Sequence, residues 1–485
     1  MWGWRQARTR RVILVASAAI IVVLICSVTL FLFPPRAHGP QASIRPPTAT
    51  SAATATTTAH PIATLPTGND WTQYRSDVYG TGVNTEQSLA TTSVDQLSQQ
   101  WALTRHPGYY TTPAIVNGVV YVTTGLSLYA YDLRSGATLW HFDAQPEKLG
   151  GIHSSVAVDP ATHLAFFGTP EARMYAVDIR TGKEKWHTQI GDPDDGAFIW
   201  SSPLFVNGRV YIGLASQNDN PCVRGGVFAF DASTGHIVWS HFMVPSGVRG
   251  GGVWSSLTAD PDAHSIIATT GNPCGDSRVS DADQDAIIAL NWDTGATQWR
   301  FTAVDVDEAD YDFGEGAVIL TYQGQKYIVA GNKAGMLYAV KPPKPGGKPT
   351  VAWSAKIAAP DNGSNGGGIF EPPTYSNGML FVAGGAGSGE GCKVGVLHAF
   401  HVDTGQLAWR QCTGGTGKVY SPSAAVGDLL FVAHGQDIVA YAIYTGDPIW
   451  SAHLGDSAWG GVAISRGFVL IGTVAGALHC FAISS

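Results

Sequence analysis

Between residues 69 and 485 the chain alternates apolar and polar positions in short runs, each closed by turn residues. One phrase recurs: an apolar strand, an Asp-x-x-Thr-Gly type of turn, and a second strand ending in tryptophan. It reads YAYDLRSGATLW to Trp140, YAVDIRTGKEKW to Trp186 and FAFDASTGHIVW to Trp239. It continues as IALNWDTGATQW to Trp299, HAFHVDTGQLAW to Trp409 and VAYAIYTGDPIW to Trp450, with a looser copy, YAVKPPKPGGKPTVAW, ending at Trp353. Alternation places successive side chains on opposite faces of a strand, and the glycine supplies the positive φ that a tight turn demands, so each phrase predicts a β-hairpin. Upstream of each lies another strand pair, as in PAIVNGVVYVTT and PLFVNGRVYIGLA, with Asn-Gly as the turn.

Four short strands per unit are the makeup of a propeller blade. The tryptophans, counted from an isolated Trp101 in VDQLSQQW, stand 39, 46, 53, 60, 54, 56 and 41 residues apart, which is blade length with inserts. After Trp450 three strands follow (SAWGGVAIS, GFVLIGTV, ALHCFAIS) and no terminal Trp strand. The strand of Trp101 is the missing fourth, and pairing it with the C-terminal strands removes the open sheet edges that invite aggregation. The expected fold is all-β, an eight-bladed β-propeller of four-stranded antiparallel blades, its ring closed by the N-terminal strand.

The N-terminal part reads differently. Residues 1–11 carry Arg5, Arg8, Arg10 and Arg11 with no acid, and 12–33 (VILVASAAIIVVLICSVTLFLF) carry no charge. Twenty-two such residues suffice to cross a hydrocarbon core of about 30 Å as a helix, and the flanking arginines hold the N-terminus in the cytoplasm. The reading is a transmembrane signal anchor, with a cleaved signal as the alternative, and a propeller outside the cell membrane. Residues 34–68 are rich in Pro, Ala and Thr with few large apolar side chains, the composition of a disordered tether.

Charge and cysteine content narrow the function. Residues 69–485 hold 23 basic and 37 acidic side chains, a net charge of −14, which argues against a nucleic-acid partner. Outside the membrane disulfides are permitted. Cys222 and Cys274 sit in similar contexts, NDNPC and GNPCGD, and Cys392 and Cys412 flank one predicted hairpin; these are the expected pairs, with Cys480 a buried thiol. No His-Glu-x-x-His, nucleophile elbow or phosphate loop is present, and there is no Cys-x-x-Cys-His for haem.

The blade phrase with its terminal Trp resembles the eight-bladed propellers of quinoprotein alcohol dehydrogenases, a likeness that extends over nearly all of 69–485. The resemblance implies a pyrroloquinoline quinone (PQQ) and a calcium ion on the propeller axis, at the end where the inserts QNDNPCVRGG, GNPCGDSRVSDADQD and DVDEADYDFGEG gather. It also implies roles for particular residues. In GGGVWSSLTADP, Trp254 matches the floor under the quinone. In TTGNPC, Asn272 matches a calcium ligand, and in DEADYD, Asp310 matches the catalytic base beside the metal. In AGNKAGMLYAV, Lys333 matches a basic residue reaching the quinone oxygens, and in SAWGG, Trp459 matches a position near the cofactor. The calcium-binding glutamate of the family falls near Asp219 or Asn220.

This chain departs from the family in lacking adjacent cysteines, in carrying His153, Ser154 and Ser155 where the family has an arginine, and in placing Ala309 for the tryptophan before the base. Two functions follow. One is an enzyme oxidising an alcohol or sugar-like substrate and passing electrons to a separate acceptor. The other is a cofactor-free propeller that binds or assembles envelope proteins.

Overall fold

In the computed structural model the described residues are 69–485, apart from 106, 146–149, 219–220, 275–281, 304–309, 362–366, 386–391, 393–394, 414–418 and 484–485. They fall in one compact unit, Ile62–Ser485. The predicted anchor and tether, and the boundaries read between them, lie outside the described residues. Among those described, no helix is long and apolar enough to cross a membrane.

The strands form eight sheets, as the repeat predicts, with the four strands of each blade antiparallel and Val83–Asn84 added in parallel to the inner strand of blade 7. Blade 4 shows the pattern: Thr258–Asp260, Ser265–Thr269, Ala286–Asn291 and Thr297–Thr302 lie side by side from the axis outwards. The first two strands of blades 1, 3 and 6 are joined by Asn-Gly turns. There Asn117, Asn207 and Asn377 take φ of 51°, 52° and 52°, and the following glycines 79°, 72° and 76°. Asn and Gly are the residues that reach this left-handed region at least cost. The eighth sheet joins Leu97–Thr104 to Ala477–Ile483, with Trp101 opposite Cys480, so the ring closes as expected. Both disulfides, Cys222–Cys274 and Cys392–Cys412, are formed, and Cys480 is a buried thiol.

The repeated tryptophan docks one blade onto the next. Its indole N–H donates to a backbone carbonyl of the following blade at Leu133, Ile179, Ala232, Trp292, Val402, Ile443 and Leu97, at 2.8–3.0 Å. Where a tight turn follows, its glycine lies on the indole face. A Cβ on Gly405 would come within 2.4 Å of the Trp353 ring, and one on Gly182 within 2.9 Å of Trp140. The looser copy breaks this rule. Blade 5 turns through Pro342–Gly346, Trp299 of blade 4 makes no such bond, and a hollow of about 610 Å³ opens beside it.

One element was not legible as a unit in the sequence. Residues 69–84 run around the axis and meet every inner strand in turn. The backbone of Trp71 pairs with Ile115 of blade 1, and Thr72 O accepts from Val158 N of blade 2. The Gln73 side chain accepts from Phe205 N of blade 3. Val78, Tyr79, Thr81 and Gly82 carbonyls accept from Ala259, Ile319, Tyr375 and Ala425 of blades 4 to 7. Asn84 Nδ2 donates to Ile464 O of blade 8. The innermost strand of each blade faces the axis with an unpaired edge, and this belt satisfies those polar groups inside the ring.

Candidate functional site

Each inner strand is preceded by a lead-in that carries residues into the axial opening. Aligned by position, these lead-ins begin Tyr110-Thr-Thr, His153-Ser-Ser, Trp200-Ser-Ser, Trp254-Ser-Ser, Gly314-Glu-Gly, Phe370-Glu-Pro, Tyr420-Ser-Pro and Trp459-Gly-Gly. Seven of the eight open on a ring, and all of these but Trp254 make ring contacts within the set. Centroids are 4.9 Å apart for Tyr110 and His153, 4.6 Å for His153 and Trp200, 5.7 Å for Phe370 and Tyr420, and 5.2 Å for Tyr420 and Trp459. Burial within this collar holds the His153 imidazole down at about 4, so the ring is neutral at ordinary pH. The repeated ring-Ser-Ser phrase was present in the sequence; only Trp254, Trp459 and the 153–155 stretch were singled out from it.

Beside the collar, over blades 3 to 5, lies a pocket of about 400 Å³ that brings together four of the sequence-predicted residues. Trp254, Asn272, Asp310 and Lys333 all line it, with Gln217, Asn218, Asp312, Asp361 and the Cys222–Cys274 disulfide. Trp459 does not. It lines the axial hollow with Tyr110 and Tyr420 and is 44% exposed. Asp219 and Asn220 lie outside the described residues, as do Asp305, Asp307 and Glu308 of the acidic loop.

Lys333 is the centre of the pocket. It sits on the turn between the second and third strands of blade 5, where its N–H donates to Asp312 O and its carbonyl accepts from Asp361 N. Its ammonium pairs with Asp310 at 2.9 Å and Asp312 at 2.8 Å, and lies 5.1 Å from the Trp254 ring centroid. Trp254 Nε1 donates to the other oxygen of Asp312 at 3.2 Å. Burial alone would lower the lysine pKa, but the two carboxylates outweigh it and the net shift is upward. Burial likewise lifts Asp312 to about 6 against the pull of Lys333. At neutral pH the pocket therefore holds an ammonium between two carboxylates, above an aromatic face.

Asp310 and Asp312 differ in kind. Asp310 is 55% exposed in its side chain and open to the pocket, in a left-handed backbone conformation (φ 60°) that Asp tolerates. Asp312 is 2% exposed and holds Lys333 and Trp254 in place. Sequence reasoning passed over Asp312, because a run of carboxylates carries no sign of which one points inward. It also passed over Trp200 and Phe370, which complete the walls.

Two further carboxylates are buried on the axis: Glu315 and Glu371, in the lead-ins of blades 5 and 6, are 4% and 0% exposed. Burial raises Glu371 to about 7, opposed by the Ala383 N–H and by Arg75, and raises Glu315 well above the ordinary range, with the charge of Glu371 adding to the effect. A carboxyl whose pKa is higher folded than unfolded keeps its proton in the native state after the unfolded chain has lost it. Stability is therefore full below the unfolded value near 4.5 and falls as pH rises towards about 7. Glu371→Gln is expected to flatten this decline and raise stability at pH 8 by a few kcal/mol at most (about 1.4 kcal/mol per pH unit of the window), measured by urea unfolding across pH 5–8.

Comparison with known proteins bears on this geometry. Residues 71–354 match the family described as the glucose/ethanol/alcohol dehydrogenase β-propeller domain, and residues 275–484 match that described as outer membrane protein assembly factor BamB. A polyvinylalcohol dehydrogenase of Pseudomonas sp is 25% identical over 354 residues, which take in 64% of this chain and 54% of the relative. The quinoprotein alcohol dehydrogenase PedH of Pseudomonas putida KT2440 is 24% identical over 477 residues, 81% of this chain and 76% of the relative. The chain thus spans about half the length of the first relative and three quarters of the second. A europium-containing methanol dehydrogenase superposes with a TM-score of 0.71 at 19% identity, covering 85% of this chain and 98% of that one, a likeness of fold. With more than half of its length inside the first of these families, the chain belongs to the glucose/ethanol/alcohol dehydrogenase propellers, the PQQ-dependent, quinoprotein type.

Proposed function

We propose that the protein is a quinoprotein dehydrogenase that oxidises an alcohol or sugar-like substrate in the pocket of Trp254 and Lys333, held at the cell membrane by residues 12–33 with the propeller outside. The observation that carries this reading is the juxtaposition of Lys333 with Asp310 and Asp312 over the Trp254 face. A flat, anionic quinone fits such a site, since an indole offers a stacking face and a buried ammonium offers a counter-charge.

For the metal, the described residues contain no group of three His, Cys, Asp or Glu side chains. Calcium also accepts amide oxygens. Asp310 and Asn272 line one pocket with Asn218 and Gln217, which is a donor set of that kind. The resemblance to the family adds Asp219 or Asn220, which lie outside the described residues. Lys333 already supplies one positive charge to the two carboxylates, so a metal bound here would have the exposed Asp310 as its main carboxylate partner.

When bound, the quinone supplies the hydride acceptor and the metal polarises it. The chain's own residues then have separate tasks. Asp310, the accessible carboxylate, accepts the alcohol proton. Asp312 fixes Lys333, and Lys333 orients the quinone oxygens. Trp254, Trp200 and Phe370 exclude water from one side. Reoxidation falls to a separate electron acceptor.

A second reading is a non-catalytic scaffold for envelope proteins. It draws on the match of residues 275–484 to BamB and on the loss of the family arginine at His153. One titration separates the two. The purified full-length chain is mixed with PQQ, with and without calcium, while tryptophan fluorescence is followed, and then given alcohols and a dye acceptor. Calcium-dependent quenching at micromolar quinone with dye reduction is the expected result. No quenching at tens of micromolar favours the scaffold.

A further inference from the structure

In five of the eight lead-ins the second residue is a threonine or serine; in blade 7 Ser421 donates across to Gly460 O of blade 8, and in blades 1 to 4 the hydroxyl is spent on its own blade. Thr111 donates to Thr123 O, Ser201 to Gly213 O and Ser255 to Thr269 O, while Ser154 accepts from Gly168 N. In blades 5 and 6 the same place holds Glu315 and Glu371. Glu371 does the serine's work with one oxygen, accepting from Ala383 N at 2.7 Å, and its second oxygen has no hydrogen bond of ordinary geometry, though the Ser423 N–H also acts on the carboxyl. Glu315 has no hydrogen bond of ordinary geometry on either oxygen, and it lines the axial hollow of about 200 Å³ beneath the collar.

The opposite side of the hollow is built from oxygen as well. Thr112, Ser155, Ser202 and Ser256, one from each of blades 1 to 4, line it. Their hydroxyl oxygens are tied circumferentially: Gly461 N donates to Thr112 Oγ1, Thr112 N to Ser155 Oγ, Ser155 N to Ser202 Oγ and Ser202 N to Ser256 Oγ, at 2.8–3.1 Å. Each oxygen is thereby fixed in position with lone-pair capacity to spare.

The nearest fixed cation does not pair with either carboxylate. Arg75, from the belt, directs its guanidinium to the carbonyls of Pro373 and Ser423 and to Thr374 Oγ1. Tyr74 is the other titratable group facing the carboxylates, and burial keeps its phenol protonated. Burying an uncompensated charge is costly, so each of these carboxyls holds a proton unless another positive charge takes its place, and a bound cation is the alternative to that proton.

We propose that the axial hollow between Glu315 and the hydroxyls of Thr112, Ser155, Ser202 and Ser256, with Glu371 adding its charge from outside the lining, binds one alkali cation. A hard ion suits an all-oxygen donor set, and a hollow lined by one carboxylate matches a monovalent ion rather than a divalent one. This site adjoins the pocket of Asp310 and Lys333, with Trp200, Trp254 and Phe370 lining both, but it shares none of that pocket's charged residues and does not depend on the function proposed for it. Its role is to complete the electrostatics of the ring where eight lead-ins converge.

The test is thermal unfolding of the full chain at pH 8 in Tris chloride, sodium chloride and potassium chloride at equal ionic strength. A Tm higher by roughly 2–4 °C in sodium or potassium than in Tris is expected, with the difference lost in Glu315→Gln and in Glu371→Gln. Equal Tm values in all three salts overturn the proposal and leave a shared proton as the neutralising charge. A cation effect that persists undiminished in both variants overturns it too, since the ion then binds elsewhere. Should either variant fail to fold, crystals of the wild-type chain grown in rubidium chloride decide the matter. An anomalous peak in the hollow beside Glu315 supports the site, and an empty hollow rejects it.

Discussion

Asp310→Asn is expected to lower turnover of the quinone-loaded chain by about 10²–10⁴-fold, the usual worth of a positioned general base, while leaving the fold close to wild type. Asn is the right probe because it keeps the shape of the side chain and tolerates the left-handed backbone at φ 60°. The Asp310 side chain is 55% exposed, so its charge contributes little to folding. Lys333 keeps its buried partner Asp312 in the variant. Dye reduction under saturating quinone gives turnover, and fluorescence quenching gives affinity. A loss below tenfold would mean that the alcohol proton goes to another group.

Lys333→Met has the largest expected effect on stability. Methionine preserves the apolar stem but leaves Asp312, 2% exposed, without its cation. Breaking a buried pair from one side costs about 3–5 kcal/mol, mostly the cost of a stranded charge. The sign with pH is definite. Without Lys333 the folded-state pKa of Asp312 rises beyond its present value of about 6, further above the unfolded value. The deficit is therefore smallest in acid and grows as pH rises through that range. Urea unfolding at pH 5 and pH 8 measures it. Pairing Lys333→Met with Asp312→Asn is expected to recover most of the loss, because it removes the stranded charge. A loss that is independent of pH and unrelieved in the double variant would point to packing against Trp254 instead.

These two aspartates show where the sequence was legible and where it was not. Asp310 was identified by likeness to a motif, and it lies in the pocket beside Trp254, Asn272 and Lys333. Asp312, two residues on, carries more of the local electrostatics, but nothing in DEADYDFGEG says that its side chain turns inward. Glu315 lies in the same run and is as deeply buried. The run was first visible as a patch of charge; its members proved to occupy three environments. Trp459 matched a family position near the cofactor, and it lines the axial hollow with Tyr110 rather than the Lys333 pocket, because ring closure sets blade 8 beside blade 1.

What the sequence determined by itself is whatever repeats. Alternation, Asn-Gly and Thr-Gly turns and a tryptophan at the end of each unit are local signals, read within one hairpin, and eight copies make the blade count and the closure of the ring follow. Cysteine contexts sufficed for both disulfides for the same reason. Only the tertiary structure decided what converges on the axis. The belt of residues 69–84, the collar of rings and the buried glutamates each depend on groups hundreds of residues apart, as when Arg75 donates to Pro373 O. Such contacts exist only once the ring has closed, and a charge's environment there is set by the seven other blades, which no local pattern encodes.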